Sequence, residues 1–385
     1  MTAFTSQDDI TAQISAGNYL RQDGSKLTAP VHTAGGWHSL QGMNGYPVAS
    51  TFPGTSLLWQ NCDNNSGDGT NRLGINPGAV VGPTGNKHLL SIGASVVGAA
   101  GAPWQLKLVD LQGYYRLATT DVTGTSSRTL INSNTFTASS SSGLLLTFTN
   151  DFTSGTKVRF TTTTTLPTGL SLATDYWLVR VSATTARVAT SYDNYVAGTV
   201  VAFTDAGTGT HTMTVQMPRY ANGVGCQAAF VVGTAPTGGG PTLSASSYTN
   251  SAGTAGRAFA GSPTMGAAAD AYAGRIIHSG NAAGRYGPFL PLASGDTGIA
   301  SVQSFTFSGG TAYTGTGVLG LCIFRPLADI SVPVTGMWSE RDLLNQLPSL
   351  PKVEDGACLT WLLFGTGATT TASPVTFALD FAWKA

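Results

Sequence analysis

The chain has 385 residues; only 10% are Asp, Glu, Lys or Arg, and 19 acids balance 19 bases to a net charge of zero. A typical soluble domain carries about 25% charge and net charge keeps monomers apart, so the composition fits a surface covered by copies of the chain or by other proteins, with a secreted β-protein bearing a Ser/Thr/Gly surface as the alternative. No basic stripe is present to neutralise phosphates, which speaks against a nucleic-acid partner, and no apolar run reaches the about 20 residues of a membrane helix.

At about 100–200 residues per domain, the length suits two or three domains. The 49 glycines have no period, which excludes collagen and implies many tight turns. The start, MTAFTSQDDI, has neither a basic nor an apolar signal region, so synthesis in a cytoplasm is expected. Cys62, Cys226, Cys322 and Cys358 form no CxxC pair and read as buried free thiols.

Residues 1–20 read as a short helical arm. Ser6 to Asp9 resembles a capping box, Ile10 and Ile14 share a face, and Gly17 is a stop. The arm suits either docking on a neighbour or packing into the core. Residues 21–85 lack regular pattern, and their aromatics (Trp37, Tyr46, Phe52, Trp59) are expected against neighbouring chains. KHLLSIGASVV and WQLKLVDLQGYYRL then read as strands, and Thr119 to Ser142 as a Ser/Thr-rich linker.

From 145 to 215 the chain repeats short alternating segments between turns: LLTFTNDF, KVRFTTTTTLPTGL, TDYWLVRVS, ARVATS, GTVVAFTD and HTMTVQM. Beyond it, GCQAAFVVG, PTLSASSYTN, GRIIHSG, SVQSFTFSGG, GVLGLCIFRPL, ACLTWLLFG and TFALDFAW resume the strand pattern. A second helix is expected over Trp338 to Leu347, with Ser339 and Asp342 at its start and Pro348 at its end. The expected class is all-β: a β-sandwich or jelly-roll-like parent (21–120 and 217–385) split by an inserted β-domain (121–216), with two short helices.

Local motifs give little chemistry. Gly82 to Lys87 resembles a phosphate loop but has His88 where Ser or Thr is required, and a strand follows. Asp63 to Gly69 has oxygen donors suited to Ca²⁺, without the closing Glu, and reads better as a turn. Asn64-Asn65-Ser66 is formally a glycosylation sequon without a signal peptide. The histidines (His32, His38, His88, His211, His278) lack metal-site spacing. No GxSxG elbow occurs, and carboxylate pairs have few acids to draw on. Trp37, Trp59 and Trp104 suit a core or interface better than a sugar platform. Arg257 and Arg285 each close a Gly-rich loop, as interface arginines or as solvated turn residues. No catalytic residue, metal or cofactor is expected.

One set of segments carries a family likeness. Gly155-Thr156-Lys157-Val158-Arg159-Phe160, Leu166-Pro167-Thr168-Gly169-Leu170, Asp175-Tyr176-Trp177-Leu178-Val179, Ala186 to Ser191 and Gly207 to Thr212 together resemble the immunoglobulin-like β-sandwich cassettes embedded in tailed-bacteriophage virion proteins. The paired cysteines and core tryptophan of antibody domains are missing. The flanks, notably MTAFTSQDDITAQISAGNYLR, GRYGPFLPLASGDTGIASVQS and SERDLLNQLPSLPKVEDGA, are similar to phage structural proteins more loosely. The resemblance implies a non-enzymatic virion protein made in the bacterial host cytoplasm. The first expectation is a head decoration or cement protein, a homo-trimer on the major capsid protein. The alternatives are a tail tube, fibre or baseplate component, and a carbohydrate-binding or depolymerising β-protein.

Overall fold

The computed structural model describes residues 4–28, 34–43, 52–63, 75, 87–97, 102–122, 125, 127–139, 144–267, 271–279, 287–346, 349–368 and 371–384. The all-β class holds: twenty-two strands and two α-helices are assigned among them.

A central antiparallel sheet runs in the order β13 (Gln227–Thr234), β18 (Val318–Val332), β5 (Trp104–Ala118), β21 (Leu359–Gly365), β2 (Trp37–Ser39), with β3 (Trp59–Asn61) also on β5. β5 and β18 are fifteen residues each and pair along almost their whole length. Each carries one extra residue: Gln112 in β5 and Leu327 in β18 interrupt the register. A bulge reverses the in–out alternation. Leu106 and Leu108 before it, and Tyr115 and Leu117 after it, therefore leave the same face of the sheet. The first pair joins one apolar core, with Ile330, Val332 and Trp361; the second joins another, with Phe305 and Phe307. Gly113 follows the bulge because Trp59 lies on it: a Cβ there would stand 2.4 Å from the indole.

The first core is closed by a second sheet, β1 (Tyr19–Leu27), β22 (Pro374–Trp383), β4 (Lys87–Val96), β19 (Ser339–Asp342), with β20 (Lys352–Val353) also on β4. Leu89, Ile92, Phe377, Leu379 and Phe381 face inward here. Each such large side chain, removed from water, contributes roughly 1.5–3 kcal/mol. α1 (Gln7–Ser15) is capped by Ser6, whose hydroxyl accepts from Asp9 N. Phe4 and Ile10 are buried in this same core, and Lys384 pairs with Asp9 at 2.8 Å. The arm is thus packed on its own body.

The other core is closed by β15 (Thr242–Asn250), β16 (Ile299–Ser308) and β6 (Ser127–Thr129); a ribbon of β14 (Thr237–Gly238) and β17 (Tyr313–Thr314) lies apart. β6 and the strand that follows it, Ser133–Ser139, fall in the stretch expected to be a linker. Threonine is β-branched and favours strands, and a polar run of alternating Thr and Ser can supply an outer face.

The remaining six strands form a closed antiparallel barrel: β7 (Ser133–Ser139), β8 (Leu145–Phe148), β11 (Thr185–Ala189), β10 (Asp175–Ser182), β9 (Lys157–Thr162) and β12 (His211–Val215). The order β12-β9-β10-β11 is a Greek key. The expected two-sheet cassette is therefore sealed at both edges, because β7 pairs with β8 on one side and β12 on the other. Phe136, Phe148, Phe160, Tyr176 and Met213 fill its interior. Entry and exit are adjacent, since Val215 N donates to Asn132 O at 2.8 Å.

Several local expectations are corrected. Residues 339–342 form strand β19 instead of a helix: the open edge of β4 offers a ladder, and that pairing overrides a weak cap signal. Only a 3₁₀ turn, Leu344–Gln346, follows. The second α-helix is α2 (Tyr192–Val196), in the barrel. GTVVAFTD is not a strand, although Phe203 is buried. GRIIHSG makes only isolated bridges, such as Val231 with Ile276. β1, β2 and β3 arise in the stretch that lacked pattern. Its aromatics are taken up by their own chain: Trp59 stands edge-on to Tyr115 at 5.1 Å, and Phe52 packs on Tyr114 at 5.1 Å. Tyr46 lies outside the described residues.

Candidate functional site

The residues singled out in the sequence are dispersed. Gly82 to Asn86 lies outside the described residues; Lys87 opens strand β4, buried, with Asp355 at 3.9 Å. Of Asp63 to Gly69 only Asp63 is described. It is buried and accepts a hydrogen bond from the Tyr192 hydroxyl at 2.7 Å, joining the parent to the barrel. The sequon and His32 lie outside the described residues. His38 and His278 are buried, and burial pulls His278 down to about 3. His88 packs edge-on to Phe4 at 5.3 Å. Trp59 and Trp104 are buried and Trp37 is half-buried. Among the described residues no three His, Cys, Asp or Glu side chains gather where they could hold a metal. All four cysteines are free and buried, and burial pushes Cys226 up to about 12.

Arg257 is paired within its own chain, with about a third of its side chain exposed. Its Nε donates to Asp296 at 2.9 Å, and the same carboxylate accepts from the hydroxyl of Tyr248 at 2.5 Å and from Asn250 Nδ2 at 2.7 Å. The Arg257 and Tyr248 hydrogen bonds hold Asp296 down to about 2. Arg285 lies outside the described residues.

The most solidly built polar contact was not expected at all. Arg219 and Asp110 are both buried and meet through two bonds of 2.9 Å. Arg219 also donates to Cys62 O and Leu111 O at 2.8 Å each, and Asp110 accepts from Cys358 N at 2.9 Å. Arg219 lies on the segment returning from the barrel, so the pair ties that segment to the central sheet. A signal was available: Asp110 sits at the same parity as Leu106 and Leu108 in an apolar strand, and a charge there needs a buried partner.

The barrel carries an open groove of about 390 Å³, lined by Thr135, Thr137, Thr147, Thr149, Thr210 and His211 among others. His211 is fully engaged. Its Nε2 lies 3.0 Å from Ala206 O, which only accepts, so Nε2 carries the proton and Nδ1 faces the Thr162 hydroxyl at 2.9 Å. It therefore braces the 206–211 turn.

An exposed apolar cluster stands at the far end of the second sheet. Val97, Val334, Met337 and Trp338 are 44–54% exposed. Gly336 N donates to Val96 O at 2.7 Å and Met337 N to Val334 O at 3.2 Å, so the 334–337 turn is fastened to β4. Trp338 lies against Gly93, where a Cβ would come within 2.3 Å of the ring. The cluster is held open to solvent by backbone bonds and by a glycine seat. Rigid exposed apolar patches mark contact surfaces.

No family model matches the chain, and no curated protein matches it. Among solved structures, it is similar to the VP2 subviral particle of infectious bursal disease virus at 11% identity, over 80% of this chain and 84% of that one, with a TM-score of 0.11. A D431N VP2 variant from T=1 particles of the same virus gives 11% identity over 80% of each chain and a TM-score of 0.11. At that TM-score the likeness carries no argument about fold or role. No described helix is long and apolar enough to cross a membrane.

Proposed function

We propose that this chain is a structural protein of a tailed-bacteriophage virion, acting by contact and not by catalysis, and that it decorates the head lattice by binding the major capsid protein and copies of itself. The observation that carries the reading is the fixed, exposed Val97–Val334–Met337–Trp338 cluster on a chain with only 10% charged residues and no net charge. Such a surface gains by burial against a partner. The likeness of the barrel segments to virion cassettes supports the same reading. Quantitative mass analysis of purified particles tests it: hundreds of copies per particle are expected, and a copy number of a few would move the protein to the tail. Absence from particles would sink the reading.

A further inference from the structure

The second sheet ends in two free edges among the described residues, and their backbone polarity can be read from the ladder. Leu343 N donates to Leu90 O at 2.9 Å. Counting in twos along an antiparallel pair, Ser339 and Arg341 bond inward to β4, and Glu340 and Asp342 turn their N–H and C=O groups outward. Both are exposed. At the opposite edge Trp383 N donates to Asn18 O at 3.2 Å and Thr28 N to Ser373 O at 2.8 Å. The even residues of β1 therefore bond to β22, and Tyr19, Arg21, Asp23 and Ser25 face outward. All four are exposed, whereas Leu20, Gln22 and Gly24 are half-buried.

A free edge invites another strand unless charge forbids it. The β19 edge is guarded against itself: any two-fold pairing of Glu340 and Asp342 sets acid opposite acid, which destabilises. The β1 edge is different. Three neighbouring two-fold registers bring its outward residues together. One opposes Arg21 to Arg21, and another opposes Asp23 to Asp23. The register between them opposes Arg21 to Asp23 and Asp23 to Arg21, with Tyr19 opposite Ser25 and Gln22 on the axis. Arg21 and Asp23 already lie 3.2 Å apart within one strand, with side chains 50% and 65% exposed. In this register they would form an alternating square of four charges, flanked in each copy by Asp380, which lies 3.7 Å from Arg21.

We infer that β1 is a self-complementary dimer edge, through which a second copy of this chain adds its own β1 antiparallel to form one continuous sheet. The inference rests on the assembly reading above, because it names one partner of that assembly. An isologous contact closes after two copies, whereas the trimer expected from the sequence needs a different surface. The exposed apolar cluster lies at the other end of the same sheet, so both contacts can be made at once.

Sedimentation of the full chain tests it. The wild type is expected to dimerise. Arg21→Asp and Asp23→Arg, each placing like charges across the axis, should each weaken the dimer at least tenfold; Asp23→Arg leaves thermal stability unchanged, whereas Arg21→Asp also loses the pair with Asp380 in its own chain and melts somewhat lower. The combined swap, R21D with D23R, restores opposite charges and should recover the dimer. Gln22→Cys, facing its own copy, should form an intermolecular disulfide, as the four native thiols are buried. A wild type that stays monomeric at every concentration, single variants that dimerise as tightly as wild type, or a Gln22→Cys chain that does not cross-link would each overturn the edge. None of those results removes the protein from the virion, so particle mass analysis decides the broader reading separately.

Discussion

Replacing Arg219 by Met should leave the Asp110 carboxylate buried without its counter-ion. Asp110 is 0% exposed, and Arg219 supplies two of its three hydrogen bonds, Cys358 N the third. Breaking a buried pair by removing one partner costs about 3–5 kcal/mol. The lost bonds to Cys62 O and Leu111 O fall within that range and are not added to it. Against a typical stability of about 5–15 kcal/mol, that loss removes from about a fifth to all of the folding free energy. Urea titration followed by tryptophan fluorescence at neutral pH measures the loss, since Trp59, Trp104 and Trp361 are buried. Adding Asp110→Asn removes the stranded charge, so the double variant should regain about 2 kcal/mol or more over Arg219→Met. A loss below about 1 kcal/mol in the single variant, or a double variant no better than the single, would refute the reasoning.

Three further outcomes are expected. Lys26 is buried, donates to Gln41 O and Met43 O, and burial lowers its amine to about 8. The folded state therefore resists protonation that the unfolded chain accepts up to about 10.4. This lysine's penalty is full below pH 8 and fades as pH rises toward 10.4. Lys26→Met should be the more stable protein at pH 7 and lose about 3 kcal/mol of that advantage by pH 10.5; the buried thiols, which titrate in the opposite sense, are common to both proteins and cancel in urea midpoints compared pairwise. Asp296 is held down to about 2, so its contribution is present above about pH 4 and disappears as pH falls through 2; in Arg257→Gln the acid-unfolding midpoint should move to higher pH. Gly93→Val should unseat Trp338, seen as a red shift and easier quenching of its fluorescence, while the fold survives; loss of binding to capsid lattices should accompany it.

The strands that were legible share one property. In β4, β5, β13, β16, β18, β21 and β22 the apolar residues alternate or run continuously, because one or both faces meet a core, and hydrophobic period is a local signal. What failed was set by distant partners. Ser339 to Asp342 carries a helix-like cap signal, yet the vacant edge of β4 decided its state. The Ser133–Ser139 strand is nearly all polar and small, and is a strand because β8 and β12 flank it. The two bulges were invisible because their effect is to change parity midway, so that each half of β5 looks regular while the whole does not. Of the contact surfaces, neither the Gly93 seat nor the outward parity of Arg21 and Asp23 can be read without knowing which neighbour each strand bonds to.

The neck of the barrel, where Val215 N meets Asn132 O, has a kinetic consequence. In a chain whose barrel is still unfolded, bringing the parent's two ends at Asn132 and Val215 together means closing a loop that includes the whole of 133–215. Loop-closure entropy for that length exceeds that of a tight turn by about 3 kcal/mol. Once the barrel has formed, its own ladder holds residues 132 and 215 together and that cost is already met. Its contacts are local to one segment, and the parent's span nearly the full sequence, as in the pairing of β1 with β22. A barrel that matures first would act as a clasp, delivering the two halves of the parent to each other with their ends held together.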